Sequence, residues 1–351
     1  MKYLNKKKLN NFFLKPNVKI KDVIKNLTKS NLQIALIVKN KDQLIGTITD
    51  GDIRRGFLSG LKINNSAMKI INRKPIVSYK KQPKDLIQYS MQNNVILQMP
   101  HVDKNQRIKG LYVLQDYVKD SKIENPILIL AGGRGKRMMP YTKKLPKPMI
   151  KINGKPILEH IIIGLKNQGF KNIFISINYL AEKIEKYFKD GSSLGVNIKY
   201  LRENKPLGTG GPLGNLKKHI NLSEDVFVIN GDILSNLDLK QMLNYHKKNN
   251  SDATMASIIF EMQNPYGVIK TKLDKIIGFK EKPISQTHIN AGIYIINAKL
   301  LKFIKINKKT HITSLFNFFI KKKLKTYVYP IHEFWNEIGD KKKYEQLIQK
   351  K

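Results

Sequence analysis

Cysteine is absent from this chain of 351 residues, which excludes a disulfide framework, a thiol nucleophile and a thiolate metal site. No apolar run approaches the ~20 residues that a membrane-spanning helix needs. The lysines near the N-terminus are not followed by an apolar segment, so a secretory signal is not predicted. These absences predict a soluble, cytoplasmic protein without a membrane partner.

Arginine is scarce, so the formal net charge of +39 comes almost entirely from lysine. Only 7 of the 65 basic residues are Arg, and the Lys residues are scattered among Asn and Ile rather than clustered. Bidentate recognition of phosphates and bases favours Arg, so a nucleic-acid partner is not expected. A basic nucleic-acid binder stays open as an alternative function.

Metal-ligand spacing is also missing among the histidines. The residues His101, His160, His219, His288 and His311 show no i,i+4 pair. We therefore expect them to be structural or surface residues.

The segment after the apolar run 127–130 is the most informative part of the chain. The run predicts a strand buried on both faces. Glycines after it let the backbone turn its N–H groups toward an anion, and spaced cationic side chains supply full positive charges. The segment therefore predicts a triphosphate-binding turn. Its residues are Gly132, Gly133, Gly135, Arg137 and Lys147.

Two common nucleotide motifs do not fit this turn. A P-loop requires Ser or Thr after its Lys, whereas Lys136 is followed by Arg137. A dinucleotide fingerprint requires Gly or Ala where Met138 stands. The turn thus indicates a different class of nucleotide site.

Strand and helix patterns alternate beyond Pro126. Short apolar runs separated by helical periodicity are typical of a Rossmann-like, doubly wound, mostly parallel α/β sheet, whose ligands bind at the carboxyl ends of the strands. Asp232 follows one such run and can therefore meet the glycine turn. The predicted elements are a helix from Pro156 to Gly169, a helix Ala181–Phe188, and strands Ile173–Ile177, Asn197–Leu201 and Val226–Ile229.

The first part of the chain contains an internal repeat. Residues 34–52 and 95–116 each predict two short strands that end before an Asp, and Gly46 precedes Asp52 by the same spacing as Gly110 precedes Asp116. Such duplication implies a pseudo-twofold pair of units. The predicted strands are Ile34–Val38 and Leu44–Thr47 in the first copy, and Val95–Leu97 and Ile108–Val113 in the second, with a turn at Pro100–Asp103.

The C-terminal two thirds resemble the sugar-1-phosphate nucleotidyltransferases. The signature is G-G-x-G-x-R-x-x-P-x-T followed by a Lys-Pro pair, and the resemblance runs in the family's order from Ile127 to about Tyr344. The resemblance implies Mg²⁺-dependent transfer of a nucleotidyl group from an NTP to a sugar 1-phosphate. Further matching motifs are Leu207–Gly211, Asn230–Asp232, Tyr266–Val268, Glu281–Pro283, Asn290–Gly292 and Trp335–Gly339.

The resemblance also implies a role for particular residues. Arg137 would hold the β- and γ-phosphates, and Lys147 the α-phosphate or the sugar phosphate. Asp232 would ligate Mg²⁺. The residues implied to bind the sugar and its phosphate are Gly267, Glu281, Lys282 and Asn290.

One position departs from the family pattern. Glu337 stands where the family usually has Asp as second Mg²⁺ ligand, with Asp340 three residues on. Carboxylates of either length bind Mg²⁺, so Glu337 is expected to serve. A catalytically silent, nucleotide-sensing regulator stays open as an alternative.

The loop 203–209 is implied to face the base, through Glu203, Gly208 and Thr209. A carboxylate accepts two hydrogen bonds from the N1–H and N2–H₂ edge of guanine, whereas uracil and thymine present one ring N–H between two carbonyls. The loop also resembles that of mannose-1-phosphate guanylyltransferases. GTP is therefore favoured over UTP, CTP and dTTP. Alternatively, Glu203 faces solvent and pairs with Lys205.

Residues 1–120 resemble a tandem CBS module, a family that commonly binds adenine nucleotides. The resemblance implies that Asp52 holds a ribose and Thr49 touches a phosphate, while Val113 replaces that hydroxyl in the second copy. A regulatory nucleotide at the first copy and a dimerising role are both open, and a homo-oligomer is expected. A CBS module ahead of such a domain resembles the guanylyltransferases of legionaminic acid pathways. The expected domains are 1–120, a linker at 121–126 and the nucleotidyltransferase domain 127–351, without an appended acetyltransferase.

Overall fold

The computed structural model describes residues 1–30, 32–79, 83–94, 96–114 and 123–349. The chain divides into two compact units, Met1–Ser121 and Lys122–Lys351. Among the described residues, no helix is long and apolar enough to cross a membrane.

The first unit is an α+β unit built around two small sheets. Strands β2, β3 and β4 form one sheet in that order, and strands β1, β6 and β5 form the other. The elements are β1 (Lys2–Asn5), α1 (Lys6–Leu9), β2 (Phe13–Leu14), α2 (Ile20–Ser30), β3 (Ile34–Lys39), β4 (Gln43–Thr49), α3 (Asp50–Leu58), α4 (Lys84–Asn93), β5 (Gln98–Val102) and β6 (Ile108–Val113).

The two sheets share one detail of pairing. Ile37 lies opposite Gly46 in the β3–β4 pair, and His101 lies opposite Gly110 in the β5–β6 pair. In both pairs the register shifts directly after this position. The predicted repeat is therefore visible in the backbone, although Asp116 lies outside the described residues.

The second repeat corrects one prediction. The strand predicted at Val95–Leu97 instead covers Gln98–Val102, where a turn was predicted; Val95 itself lies outside the described residues. Pro100 fits a strand here because its carbonyl accepts a hydrogen bond from Ser78 N, at 2.9 Å, on the side away from β6. The missing N–H of Pro100 faces that same side, so the β5–β6 ladder loses no bond.

The second unit contains a seven-stranded sheet with the order β11-β10-β7-β12-β17-β14-β18. Neighbouring strands are parallel except on the two sides of β17, so the sheet is mostly parallel, as predicted. Its elements are β7 (Ile127–Leu130), β8 (Lys151–Ile152), β9 (Lys155–Pro156), α5 (Ile157–Asn167), β10 (Asn172–Ile177), α6 (Ala181–Phe188), β11 (Asn197–Arg202), α7 (Pro212–Leu216), β12 (Val226–Asn230), β13 (Ile233–Ser235), α8 (Leu239–Lys248), β14 (Ala253–Gln263), β15 (Val268–Lys272), β16 (Lys275–Lys280), β17 (Ile284–Ile296), α9 (Ile312–Lys321), β18 (Thr326–Ile331), β19 (Trp335–Glu337) and α10 (Lys341–Gln349).

Successive residues of the central strand β7 pack into two different apolar cores, one on each face of the sheet. Ile127 and Ile129 pack on one face of the sheet with α5, α6 and α8. Leu128 packs on the other face with α7 and α9. Helices therefore cover both faces, which accounts for the wholly apolar sequence of β7.

Residues 260–284 form an arm that projects from the sheet. The ends of β14 and β17 continue beyond the sheet's other strands, and β15 pairs with β16 as a separate hairpin. Large apolar side chains on the arm are exposed, among them Tyr266, Leu273 and Phe279. The arm therefore contributes little to either apolar core.

Register at the centre of the sheet places the end of β7 beside the end of β12. Leu130 lies opposite Asn230, and Gly231 N donates to Leu130 O at 2.9 Å. A Cβ atom at position 231 would lie 2.7 Å from that carbonyl oxygen. Glycine is thus required for the close approach of the two strand ends.

Replacing Gly231 by Ala is expected to destabilise the second unit by about 1–3 kcal/mol, because backbone must move to relieve the contact. Gly164→Ala is the matched control, since nothing lies within 4 Å of its Cβ position inside α5. That helical substitution is expected to be neutral or to stabilise by up to ~1 kcal/mol. Denaturant unfolding measures both, and equal stability of the two variants would contradict the packing assigned to Gly231.

Candidate active site

The glycine turn after β7 is packed against the residues that follow it. Gly135 has a φ of +60°, in the left-handed region that favours glycine. A Cβ atom there would lie 2.9 Å from Lys147 Cβ and from Thr142 Cγ2. Thr142 Oγ1 also donates to Gly135 O at 2.9 Å. The turn is therefore held directly against the stem of Lys147.

A cavity of about 410 Å³ opens at the carboxyl ends of β7 and β12. Asn230 and Gly339 line it together with most of the residues that the sequence singled out. The predicted residues that line it are Gly132, Gly133, Gly135, Arg137, Lys147, Glu203, Gly208, Thr209 and Asp232. Residues that are more than 90 positions apart in sequence thus meet in one site.

A short antiparallel pair of strands brings the backbone segments of Asp232 and Glu337 side by side. In the β13–β19 pair, Ile233 lies opposite Glu337, and Ile338 N donates to Asp232 O at 3.0 Å. This pairing places Glu337 on the strand beside Asp232, although Glu337 is not among the residues that line the cavity. Asp340 instead accepts a hydrogen bond from Lys343 N, at 2.9 Å, at the start of α10.

Both carboxylates are paired with the predicted phosphate-binding cations. Lys147 Nζ donates to Asp232 Oδ2. Arg137 Nη2 lies 3.7 Å from Glu337 Oε1. The Lys147 side chain is 11% exposed and that of Arg137 is 71% exposed, so the first pair is the better shielded from water.

Oxygen ligands for a hard divalent cation are present at this edge. Asp232 and Glu337 supply carboxylates from neighbouring strands, and among the described side chains Asn230 Oδ1 is a buried atom without a hydrogen-bond partner. Carboxylate and amide oxygens suit Mg²⁺. The donor set therefore fits the metal that the sequence implied.

Glu203 has two partners inside the protein. Its Oε1 accepts from Ser176 Oγ at 2.5 Å, and its Oε2 accepts from Leu207 N at 2.7 Å. The carboxylate faces the cavity between the glycine turn and the loop 207–209. The alternative, a solvent-facing carboxylate paired with Lys205, is not the arrangement in the structure. No sequence pattern indicated the contact with Ser176, because that serine lies inside a buried strand.

Asn290 is held by local hydrogen bonds and is not among the residues that line the cavity. Its Nδ2 donates to Tyr294 Oη at 2.8 Å, and its Oδ1 accepts from Gly292 N at 2.9 Å. Burial raises the pKa of the Tyr294 hydroxyl to about 12, and the negative charge of Asp232 acts in the same direction. Tyr294 is therefore a neutral hydroxyl at physiological pH.

The other predicted sugar residues lie on the projecting arm. Gly267 and Glu281 are neighbours, since a Cβ atom at Gly267 would lie 3.0 Å from Glu281 Oε2. Lys282 follows with a φ of +39°. None of these residues lines the cavity described above, because the arm carries them beyond the sheet. The cavity thus gathers the predicted phosphate residues, the predicted base-facing residues and Asp232, whereas Glu337 and the predicted sugar residues do not line it.

The sequence and structure of the second unit match known proteins. A mannose-1-phosphate guanyltransferase of Yarrowia lipolytica is 35% identical over 222 residues, which are 61% of this chain and 61% of that protein. A UTP–glucose-1-phosphate uridylyltransferase of a Synechocystis species is 34% identical over 239 residues, covering 63% and 62%. The chain therefore spans about three fifths of the length of these curated relatives.

A solved structure extends the comparison to the fold. The crystal structure of HddC from Yersinia pseudotuberculosis complexed with GMP-PN is 27% identical in sequence and superposes with a TM-score of 0.51. The match covers 64% of this chain and 99% of HddC. The family described as nucleotidyl transferase matches residues 126–351, the part of the chain that contains the glycine turn, Asp232 and Glu337. The chain belongs to the nucleotidyl transferase family.

Proposed function

We propose that this chain transfers a nucleotidyl group from an NTP, with GTP favoured, to a sugar 1-phosphate, and releases pyrophosphate. The observation that carries the proposal is that one cavity gathers the glycine turn, Arg137, Lys147 and Asp232. A site for two polyanions needs donors and positive charge, and these residues supply both.

The proposed reaction needs no covalent intermediate. An oxygen of the sugar 1-phosphate attacks the α-phosphorus, a new phosphoanhydride bond forms, and the bond to the β-phosphate breaks with its electron pair leaving on pyrophosphate. The backbone N–H groups of the turn and Arg137 hold the β- and γ-phosphates. Lys147 holds the α-phosphate or the sugar phosphate, so that the reacting atoms are kept in line.

Asp232 and Glu337 are the residues that would hold Mg²⁺. The ion, when bound, would neutralise negative charge on the phosphates. A silent regulator remains the alternative, because Glu337 replaces the family's usual Asp at this position.

Binding of the sugar is assigned to Gly267, Glu281, Lys282 and Asn290 on the strength of their motifs. Of these four residues, Asn290 lies in the main sheet, where β17 pairs it with Ser257 of β14. The other residues lie on the arm. The identity of the sugar is therefore left open.

Guanine selectivity is assigned to Glu203 together with Gly208 and Thr209. A carboxylate has about four lone-pair positions, and Ser176 and Leu207 use two of them. The remaining positions can accept from the N1–H and N2–H₂ edge of guanine. The guanyltransferase relative and the HddC complex with GMP-PN support this assignment. The uridylyltransferase relative makes UTP the first alternative, ahead of CTP and dTTP.

The first unit is proposed to be a CBS pair that binds a regulatory nucleotide at Thr49 and Asp52. The shared register of its two sheets supports the repeat. In the structure Asp52 Oδ2 accepts from Thr49 N at 2.8 Å and from Thr49 Oγ1 at 2.7 Å, while Arg55 pairs with the other carboxylate oxygen. A ligand would have to share these groups, and a purely dimerising unit is the alternative.

Turnover is expected to depend on Asp232. Purified protein with Mg²⁺ should release pyrophosphate from one of the four NTPs and a sugar 1-phosphate, and Asp232→Asn should lower the rate by roughly 10²–10³ while keeping the fold. A coupled pyrophosphate assay over a panel of sugar 1-phosphates measures this. Full activity of the variant would remove Asp232 from the proposed role.

Base preference is expected to change in Glu203→Gln, which replaces one acceptor by a donor of similar size. GTP binding should weaken by on the order of 1–3 kcal/mol relative to UTP. Ser176→Ala is the matched control, because it removes one internal hydrogen bond and leaves the carboxylate intact. Competition binding with the four nucleotides measures both variants. If both variants change the preference for GTP over UTP equally, the effect comes from the position of the loop and not from a contact between Glu203 and the base.

Nucleotide binding to the first unit is expected to require Asp52. Calorimetry of the full chain with AMP should show a binding event that Asp52→Ala abolishes, since the ribose hydroxyls lose their acceptor. Asp103→Ala, in the turn of the second copy, should leave the event unchanged. AMP binding of equal strength to the Asp52 variant, or none to the native chain, would leave the unit as a dimerisation element.

A further inference from the structure

The two ion pairs of the site join groups that the proposed reaction needs separately. Lys147 and Arg137 are the proposed phosphate ligands, and Asp232 and Glu337 are the proposed metal ligands. In the structure each cation faces one carboxylate. Each of these four side chains therefore has an oppositely charged partner within the protein.

The Lys147–Asp232 pair is the stronger of the two. Both side chains are largely shielded, being 11% and 20% exposed, and the ammonium donates directly to the carboxylate. The Arg137–Glu337 pair is longer, at 3.7 Å, and its Arg side chain is 71% exposed. Solvent-exposed pairs contribute little, so of the two pairs the Lys147–Asp232 pair is expected to hold its charges together more strongly.

Geometry limits how Lys147 can release the carboxylate. Its Cβ atom is packed against the turn at Gly135, so the backbone and the base of the stem are fixed. The remaining carbon chain of a lysine is flexible, and its ammonium can rotate to another acceptor nearby. A nucleotide phosphate held by the glycine turn is such an acceptor.

We propose that Lys147 pairs with Asp232 before nucleotide binds and keeps this carboxylate from a divalent cation until a nucleotide phosphate draws the ammonium away. This rests on the proposed function. A divalent cation and an ammonium repel each other when they share one carboxylate oxygen. A bound nucleotide removes Lys147, which competes with the metal for Asp232. A bound metal in turn occupies Asp232, which competes with the phosphate for Lys147, so metal and nucleotide bind cooperatively. The coupling is reciprocal, so it can be tested from the side of the metal and from the side of the nucleotide.

The first test measures Mn²⁺ alone, by the electron paramagnetic resonance of the free ion. Lys147→Met keeps the length of the stem and removes the charge, and it is expected to bind Mn²⁺ about 5–150-fold more tightly than the native chain. Lys144→Met removes the same charge from an exposed lysine in the same segment and should leave Mn²⁺ affinity unchanged. Adding Asp232→Asn to Lys147→Met should abolish the gain.

The second test measures GTP binding by calorimetry in the presence of EDTA, without metal. Asp232→Asn frees Lys147 and is expected to bind metal-free GTP more tightly than the native chain, by a similar factor. Asp274→Asn, which removes a charge at the exposed tip of the arm, is the control. Tighter Mn²⁺ binding in Lys147→Met and tighter GTP binding in Asp232→Asn are both expected. Loss of a residue that only contacts the ligand would instead weaken binding.

Equal or weaker Mn²⁺ affinity in Lys147→Met would overturn the proposal, as would a gain of the same size in Lys144→Met. Lys147→Gln also removes the charge but has a different shape. If neither Lys147→Met nor Lys147→Gln binds Mn²⁺ more tightly than the native chain, the proposal is likewise overturned. None of these readouts uses turnover. The pyrophosphate assay therefore stays an independent test of the proposed function, and either can fail without the other.

Discussion

The candidate site depends on the parallel register between β7 and β12. Because Leu130 lies opposite Asn230, the glycine turn and Asp232 leave the sheet side by side at one edge. Gly231 allows this approach, since its N–H donates to Leu130 O and a side chain there would collide with that oxygen. A slip of one residue would turn every side chain of β7 to the opposite face and separate the anion-binding turn from the carboxylate.

The second unit divides into a fixed part and a projecting part. The parallel strands β11, β10, β7 and β12 belong to the packed sheet, and the glycine turn and Asp232 follow directly after β7 and β12. The long strands β14 and β17 carry Gly267, Glu281 and Lys282 outward on the arm. The anion-binding turn and Asp232 therefore lie at the edge of a well-packed sheet, whereas three of the four residues assigned to the sugar lie on a less supported arm.

Much of this arrangement could be predicted from the sequence. Local patterns located β7, β10, β11, β12, α5 and α6 to within one or two residues, because apolar runs with clear periodicity are decided by burial. The strands β14, β17 and β18 and the helices α7, α8 and α9 were not predicted. The meeting of the glycine turn with Asp232 followed from the rule that parallel strands end at a common edge. The predicted mostly parallel α/β fold is confirmed.

Other features depend on contacts that a local pattern does not contain. The second-repeat strand was misplaced because Pro100 suggested a turn, whereas tertiary pairing with Ser78 makes it acceptable in a strand. The bond from Ser176 to Glu203 and the pairing of Lys147 with Asp232 join distant segments. The roles of individual residues, and the CBS character of the first unit, stay predictions.

The proposed reaction requires attack at the α-phosphorus of a nucleotide bound in the cavity. Phosphorus NMR can follow this step in a mixture of GTP, the protein, Mg²⁺ and a sugar 1-phosphate that carries ¹⁸O on its phosphate. Pyrophosphate and a diphosphate linkage with ¹⁸O in its bridge are expected to grow, because a sugar-phosphate oxygen forms the new bond. Release of inorganic phosphate with GDP, or no change in any NTP with any sugar 1-phosphate, would contradict it.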